Sequence, residues 1–159
     1  MTRFAIPPIL RHRLYLYQPV DIYRCQPLAF RERSLTRIVP ISLIPRSRDI
    51  QLDPMHLYVT SNKINSFRSN FCFGGHKEEL YDGPWLEKDG CYKNIQRRIF
   101  FPAHGHRLVA HVLWKMMDKN PELIDIEDRC FENTETWNRW LKIPWTPMER
   151  RLLENNEFL

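Results

Sequence analysis

The segment FFPAHGHRLVAHVLWKMMDKNP, residues 100–121, carries the clearest helical pattern in this chain of 159 residues. Its apolar side chains recur at the i, i+3, i+4 and i+7 spacing that places them on one face of a helix: Val109, Val112, Leu113 and Met116. Pro102 ends an extended segment, and Gly105 turns the chain into this helix. An amphipathic helix is therefore predicted to begin at Arg107 and to end near Asn120, because Pro121 lacks the backbone N–H that another turn needs.

Three histidines lie at the start of this helix, and their spacing limits the metal sites that they can form. His104, His106 and His111 are two, five and seven residues apart, whereas two ligands on one helix face need a spacing of four. An alternative remains in which His104 and His106 point to the same side of an extended segment and bind one ion together. Further ligands for a tetrahedral Zn²⁺ are then available from the preceding segment: Cys72, His76 and Cys91. A small zinc-binding domain within residues 72–106 is thus one possible interpretation. The alternative is that the histidines bind no metal and only form hydrogen bonds with the local backbone or with a partner.

The last third of the chain is predicted to be helical beyond Pro121 as well. The helical segments are NPELIDIEDRCF at 120–131, TETWNRWLKI at 134–143 and TPMERRLLENNEFL at 146–159. Thr146 and Glu149 have the spacing of a capping box, in which each side chain bonds the backbone N–H of the other residue. Trp137 and Trp140 are three residues apart and share a helix face. Most of the tryptophans are expected in the core, but since tryptophan is frequent at interface centres, these two are also candidates to bind a partner.

Glycine and proline divide the rest of the chain. All five glycines lie between Gly74 and Gly105, and Asp-Gly pairs at 82–83 and 89–90 predict tight turns. RRIFFP at 97–102 is a candidate short strand. Seven of the twelve prolines lie in residues 1–70. Because each proline removes a backbone donor, this segment is predicted to be an extended arm with short edge strands, and a β-rich half-domain with prolines at its turns is the alternative.

The predicted fold is mixed and mainly α, with irregular and extended parts and no transmembrane helix. A Pro/Arg-rich arm, residues 1–70, is expected to be ordered mainly by lying on another molecule. Residues 71–159 are expected to form a small turn-rich and helical domain. The longest apolar runs fall well short of the ~20 residues that a membrane-spanning helix needs.

Positive charge is concentrated in the first third of the chain. Nine arginines and three acidic residues give residues 1–50 a charge of +6, while the whole chain carries +5. The predicted partner-binding arginines alternate with aromatic and aliphatic residues: Arg11, Arg13, Arg24, Arg31 and Arg33. Arginine binds phosphate bidentately and stacks on planar groups, which suits rRNA, anionic lipid such as cardiolipin, or a groove between acidic protein subunits. The modest net charge favours protein subunits over RNA, whose phosphates dominate affinity.

No motif for catalysis occurs in the chain. There is no Gly-x-Ser-x-Gly sequence and no phosphate-binding loop, so a non-enzymatic protein without a small-molecule substrate is predicted. The cysteines at 25, 72, 91 and 130 form no Cys-x-x-Cys pair, which indicates a reducing compartment. Apart from the zinc alternative, no cofactor is expected.

The start of the chain favours a mitochondrial location. It is rich in arginine and has no acidic residue before Asp21, as in mitochondrial targeting segments. Pro7 and Pro8 break any long presequence helix, so no obviously cleaved presequence is predicted. The favoured function is an accessory, structural subunit of a respiratory-chain complex or ATP synthase, in the matrix or associated with the inner membrane. The second is a mitochondrial ribosomal protein whose arm contacts rRNA.

Overall fold

The computed structural model describes residues 3–158, and 47% of the structure is helical. Its α-helices are α1 (Pro8–Tyr17), α2 (Arg48–Gln51), α3 (Asn62–Arg68), α4 (His106–Lys119), α5 (Glu127–Cys130), α6 (Thr134–Leu141) and α7 (Pro147–Glu157). Its strands are β1 (Arg33–Arg37), β2 (Leu57–Ser61), β3 (Cys72–Phe73), β4 (Trp85–Lys88), β5 (Cys91–Asn94) and β6 (Ile99–Phe101). Among the helices of residues 3–158, none has the length and apolar character to cross a bilayer. The predicted mixed, mainly helical fold is confirmed at this level.

Helix α4 is the helix predicted from the 100–121 segment, and its apolar face lies at the centre of the core. The core-facing side chains are all 0% exposed: Leu108, Val109, Ala110, Val112, Leu113 and Met116. The helix ends where the Asn120 N–H donates to the Met116 carbonyl at 3.0 Å. At its start, Gly105 has a φ of 83°, and a Cβ there would lie 2.5 Å from the Ile22 carbonyl oxygen. Only glycine therefore fits this turn.

A four-stranded sheet with the order β3-β6-β5-β4 shares this core. Strands β4 and β5 form an antiparallel hairpin, while β6 pairs antiparallel with β5 and parallel with β3. The hairpin turn is the second of the predicted Asp-Gly pairs. Asp89 and Gly90 have φ values of 51° and 84°, the left-handed pair that a type I′ turn requires.

The first seventy residues pack into the same core as α4. Strands β1 and β2 form a two-stranded antiparallel sheet, and all five residues of β2 are buried. Leu14 of α1, Ile22 and Ile38 are each 0% exposed. The sequence predicts an arm that a partner orders, whereas the structure buries these apolar side chains within the chain itself. Proline is compatible with this packing where no backbone donor is needed, as for Pro8 at the first position of α1 and Pro54 at the first position of a short 3-10 helix.

Helix α7 joins the start of α4 to the first residue of β2 and the turn before it. Glu149, which is 2% exposed, accepts a hydrogen bond from the Leu108 N–H at 2.8 Å, in the first turn of α4. Asn156 Nδ2 donates to the carbonyl oxygens of Pro54 and Leu57, at 2.9 and 3.1 Å. One face of α7 thus supplies polar contacts to two distant parts of the chain.

The capping box of α7 is present as predicted, and its removal gives a measurable change in stability. Thr146 Oγ1 accepts from the Glu149 N–H at 3.1 Å, and Glu149 Oε1 accepts from the Thr146 N–H at 3.0 Å. Thr146→Ala is expected to lower the free energy of unfolding by about 1 kcal/mol, measured by urea denaturation. Glu154→Ala, an exposed change in the same helix, is the control and is expected to alter it by less than about 0.5 kcal/mol. Equal values for the two variants would contradict this prediction.

Candidate functional site

Two adjoining cavities on the surface form a groove with strong positive charge. Their volumes are about 320 and 170 Å³, and they share Pro40, Ser42 and Asn70 as lining residues. The arginines that line them are Arg3, Arg37, Arg68, Arg97, Arg98 and Arg129. Neither cavity has a carboxylate among its lining residues within 3–158. We call these six arginines and the cavities that they line the arginine groove.

Arg68, at the end of α3, forms part of the floor of the groove and is only 3% exposed. Its guanidinium lies 4.3 Å from the centre of the Phe73 ring. It donates hydrogen bonds of 2.8–3.4 Å to neutral acceptors only: the carbonyls of Arg37, Ile38 and Phe71 and the hydroxyls of Tyr23 and Thr36. Its polar hydrogens are thus largely satisfied, but no carboxylate within residues 3–158 offsets its charge. The positive potential remains in the groove.

Arg37, at the end of β1, adds a second unpaired charge beside the first. It donates to the carbonyl oxygens of Gln51 and Phe4, at 3.3 and 3.4 Å. Burial lowers the pKa of Arg37, and the charges of Arg3 and Arg11 lower it further. Crowded guanidinium groups repel one another, so an anion bound here would relieve the repulsion.

The other end of the groove is formed by the turn before β6 and by α5. Arg98 stacks on the Phe71 ring at 5.0 Å and donates to Asn70 Oδ1 at 3.3 Å. Arg129 is exposed, and neither it nor Arg98 pairs with a carboxylate in residues 3–158. Arg97 differs, because it binds Glu79 and Glu132 at 3.1 and 2.7 Å. Arg98 and Arg129 are therefore the accessible charges at this end.

None of the five arginines predicted to bind a partner lines the groove. Arg24 pairs with Asp21 and Asp89, at 2.8 and 3.5 Å, and lies with Arg31 in a separate cavity of about 390 Å³. Arg33 donates to the backbone carbonyls of Leu28 and Tyr15 and lies over the Phe30 ring. Arg24 and Arg33 thus hold the chain's own loops, while Arg11, Arg13 and Arg31 are exposed.

The two predicted interface tryptophans lie in or against the core. Trp140 is 2% exposed, and its ring centre lies 5.0 Å from that of Phe131 and 4.9 Å from that of His106. Trp137 packs against the same cluster and donates its indole N–H to the Ala110 carbonyl at 3.1 Å. The surface that these two tryptophans present to α4 is therefore used within the chain and is not open to a partner.

The five residues predicted as metal ligands do not come together. No group of three His, Cys, Asp or Glu side chains in residues 3–158 is placed to hold a metal ion. The His106 ring lies 4.7 Å from that of Phe101, while His76 Nδ1 lies 2.9 Å from a Glu78 carboxylate oxygen. Cys91 is buried, and burial raises its pKa to about 12, which opposes the thiolate that zinc needs. The remaining two predicted ligands do not join the others: Cys72 donates to the Arg98 carbonyl, and His104 is exposed.

The arginine groove is suited to binding anions and not to proton transfer. Arginine stays protonated in proteins, and the remaining polar lining consists of hydroxyl and amide groups together with the Cys72 thiol, whose pKa is raised mainly by burial. Comparisons of the chain with protein-family models, with curated proteins and with solved structures found no match.

Proposed function

We propose that this protein is a non-catalytic, RNA-contacting subunit of a larger assembly, and that the arginine groove holds phosphates of the RNA backbone. The observation that carries the proposal is a groove whose lining, within residues 3–158, contains six arginines and no carboxylate, although Arg97 pairs with Glu79 and Glu132 outside it. Arginine contacts to phosphate supply most of the affinity of proteins for nucleic acid. A buried guanidinium at the floor fixes part of this charge in place before the partner arrives, because Arg68 is held by five hydrogen bonds.

The lining also indicates how such an RNA is recognised. Sequence-tolerant binding of single strands usually relies on exposed aromatic rings that stack on bases, and no aromatic residue among 3–158 lines the groove. Pockets for apolar small molecules, in contrast, have mainly hydrophobic walls. The groove therefore suits phosphates and not bases, and binding is expected to depend weakly on RNA sequence. The arginine-rich, acid-poor start of the chain supports a mitochondrial location for the assembly, so we propose a mitochondrial ribosome as the RNA-containing assembly.

The proposal predicts a steep salt dependence that the groove arginines control. Binding of a labelled 20-nucleotide RNA would be measured by fluorescence anisotropy at several salt concentrations. The double variant Arg98→Gln/Arg129→Gln is expected to weaken binding about tenfold at 0.1 M salt. It is also expected to reduce the slope of log K against log salt by about 1.4, at about 0.7 for each lost phosphate contact.

A matched control separates the groove from net charge. Lys142→Gln/Arg151→Gln also removes two exposed charges, at positions that do not line the groove. This variant is expected to keep the affinity within about twofold, since distant charges are screened at this salt. Equal losses in the two double variants, or no binding by the unchanged protein, would overturn the proposal.

A second candidate is an accessory subunit of a respiratory-chain complex or ATP synthase that binds protein neighbours. It is favoured by large apolar side chains that stand far out of the surface: Tyr81 at 85%, Phe158 at 79% and Ile124 at 73% exposure. Ribonuclease treatment distinguishes the two candidates. Association of the full chain with its assembly is expected to be lost on treatment if RNA holds it, and to persist if protein contacts do.

A further inference from the structure

A second surface combines exposed apolar side chains with arginine. Helix α1 exposes 74% of Ile9 and 57% of Leu16, which are seven residues, or about two turns, apart on one face. Phe30 is 46% exposed and lies beside α1, with its ring centre 5.8 Å from that of His12 and 5.5 Å from that of Tyr15. We call Ile9, Leu16 and Phe30 the α1 ridge.

Arginine flanks this ridge on both elements that form it. Arg13 lies on α1 between Ile9 and Leu16 in the chain, and Arg31 follows Phe30; both are exposed. The chain has no acidic residue before Asp21, and Glu32 is the only one in the turn at 30–32. No residue of the ridge lines the arginine groove. The surface therefore differs from the groove, because it offers protruding apolar groups together with positive charge.

We infer that the α1 ridge, with Arg13 and Arg31, is a peripheral binding surface for an anionic phospholipid bilayer. Apolar side chains on an interfacial helix enter the boundary between headgroups and acyl chains, and neighbouring arginines bind lipid phosphates. The inference does not rest on the groove or on its proposed ligand.

The size of the surface favours a membrane over a folded protein. A helix of ten residues is about 15 Å long and about 10 Å wide, so one face of α1 offers roughly 150 Å². Phe30 adds at most about 200 Å² to the ridge. A stable protein interface buries about 800 Å² on each partner, which also makes a dimer of this chain through the ridge too small. A bilayer needs no matching surface, because it accommodates a few inserted side chains wherever they protrude.

The test uses the full chain and vesicles of two compositions. Co-sedimentation would compare phosphatidylcholine vesicles with vesicles of phosphatidylcholine and cardiolipin in a 4:1 molar ratio. The unchanged protein is expected to bind the anionic vesicles at least about tenfold more strongly, and to release them as salt rises. Ile9→Ser/Leu16→Ser and Arg13→Gln/Arg31→Gln are each expected to lower the partition coefficient at least about tenfold. Thermal unfolding of each variant verifies the fold.

Matched controls make the outcome decisive. Ile124→Ser/Phe158→Ser removes two apolar side chains of 73% and 79% exposure elsewhere on the surface and is expected to bind as the unchanged protein does. The groove variant Arg98→Gln/Arg129→Gln is expected to keep vesicle binding within about twofold. Absence of binding to anionic vesicles, equal losses in the ridge and control variants, or loss only in the groove variant would each overturn the inference.

Discussion

Replacement of Arg68 by leucine is expected to lower the free energy of unfolding by about 3–5 kcal/mol. The guanidinium supplies hydrogen bonds to three backbone carbonyls and two hydroxyls, all of them close to the core. Leucine offers no donor, and each buried acceptor left without one costs about 1–3 kcal/mol. Relief from burying a cation without a counter-ion offsets part of this loss, because a desolvated charge is itself unfavourable.

Urea denaturation monitored by circular dichroism measures this change. Arg129→Leu is the matched control, since Arg129 lines the same groove but is exposed, and its effect is expected to stay within about 0.5 kcal/mol. Arg68→Lys retains the charge but not the planar set of donors, so it is expected to fall between the two. A loss of less than about 1 kcal/mol for Arg68→Leu would show that water replaces the guanidinium as donor.

The second large expected effect is a loss of stability between pH 6.5 and pH 4, caused by two histidines. Burial lowers the pKa of His56 from 6.5 to about 4, although hydrogen bonds to the backbone at Gln51 and Ile50 oppose the change. Burial also lowers the pKa of His106 to about 4, against a hydrogen bond to Pro102. Part of His106 reaches the surface, yet its Nε2 is buried and has no hydrogen-bond partner among the described residues.

The free energy of unfolding depends on whether the folded or the unfolded state takes up the protons. Well above pH 6.5 both rings are neutral in the folded state and in the unfolded state. Neither ring then changes the free energy of unfolding with pH. Between pH 6.5 and pH 4 the unfolded chain protonates His56 and His106 while the folded chain largely does not, so the free energy of unfolding falls with pH. Burial also lowers the pKa of His111, which adds to this fall. At about 1.4 kcal/mol for each unit of pKa, each histidine removes roughly 3 kcal/mol by pH 4.

Urea denaturation at pH 7, 6 and 5 tests this effect before most carboxylates titrate. His106→Phe keeps an aromatic ring between Phe101 and Trp140 and is expected to reduce the fall in stability between pH 7 and 5 by about half. His104→Gln, at an exposed position, is expected to leave the fall unchanged. A stability that stays constant over this range would show that both rings take up protons in the folded state at the same pH as in the unfolded chain.

The parts of the fold that the sequence predicts are those with local signals. Helix α4 follows from the period of its apolar residues, and the capping box of α7 follows from the identities of Thr146 and Glu149. The burial of the first seventy residues has no such signal. The sequence does not distinguish a proline in a free arm from a proline at the first position of a packed helix. The burial of Trp140 also has no local signal, since a tryptophan at an interface and one in a core have the same sequence pattern.

The arginine groove was beyond sequence reasoning for a related reason. Arg37 and Arg129 are separated by most of the chain, and they come together only because β1, α3, the turn before β6 and α5 meet in space. The unequal charge of the chain pointed to residues 1–50 in general, but it did not separate Arg33, which binds two backbone carbonyls, from Arg37, which lines the groove. The adjacent pair Arg97-Arg98 is a local signal for the groove, but it is not specific, because the equal pair Arg150-Arg151 does not line it.

The contacts of α7 determine when the native packing can be completed during synthesis of the chain. Asn156 bonds the carbonyls of Pro54 and Leu57, about a hundred positions earlier, and Glu149 bonds the first turn of α4. During translation, β2 and its neighbours therefore leave the exit tunnel long before the helix that completes them. The nascent polypeptide holds apolar strands without their final cover during this interval, and its native packing is completed only after α7 has emerged.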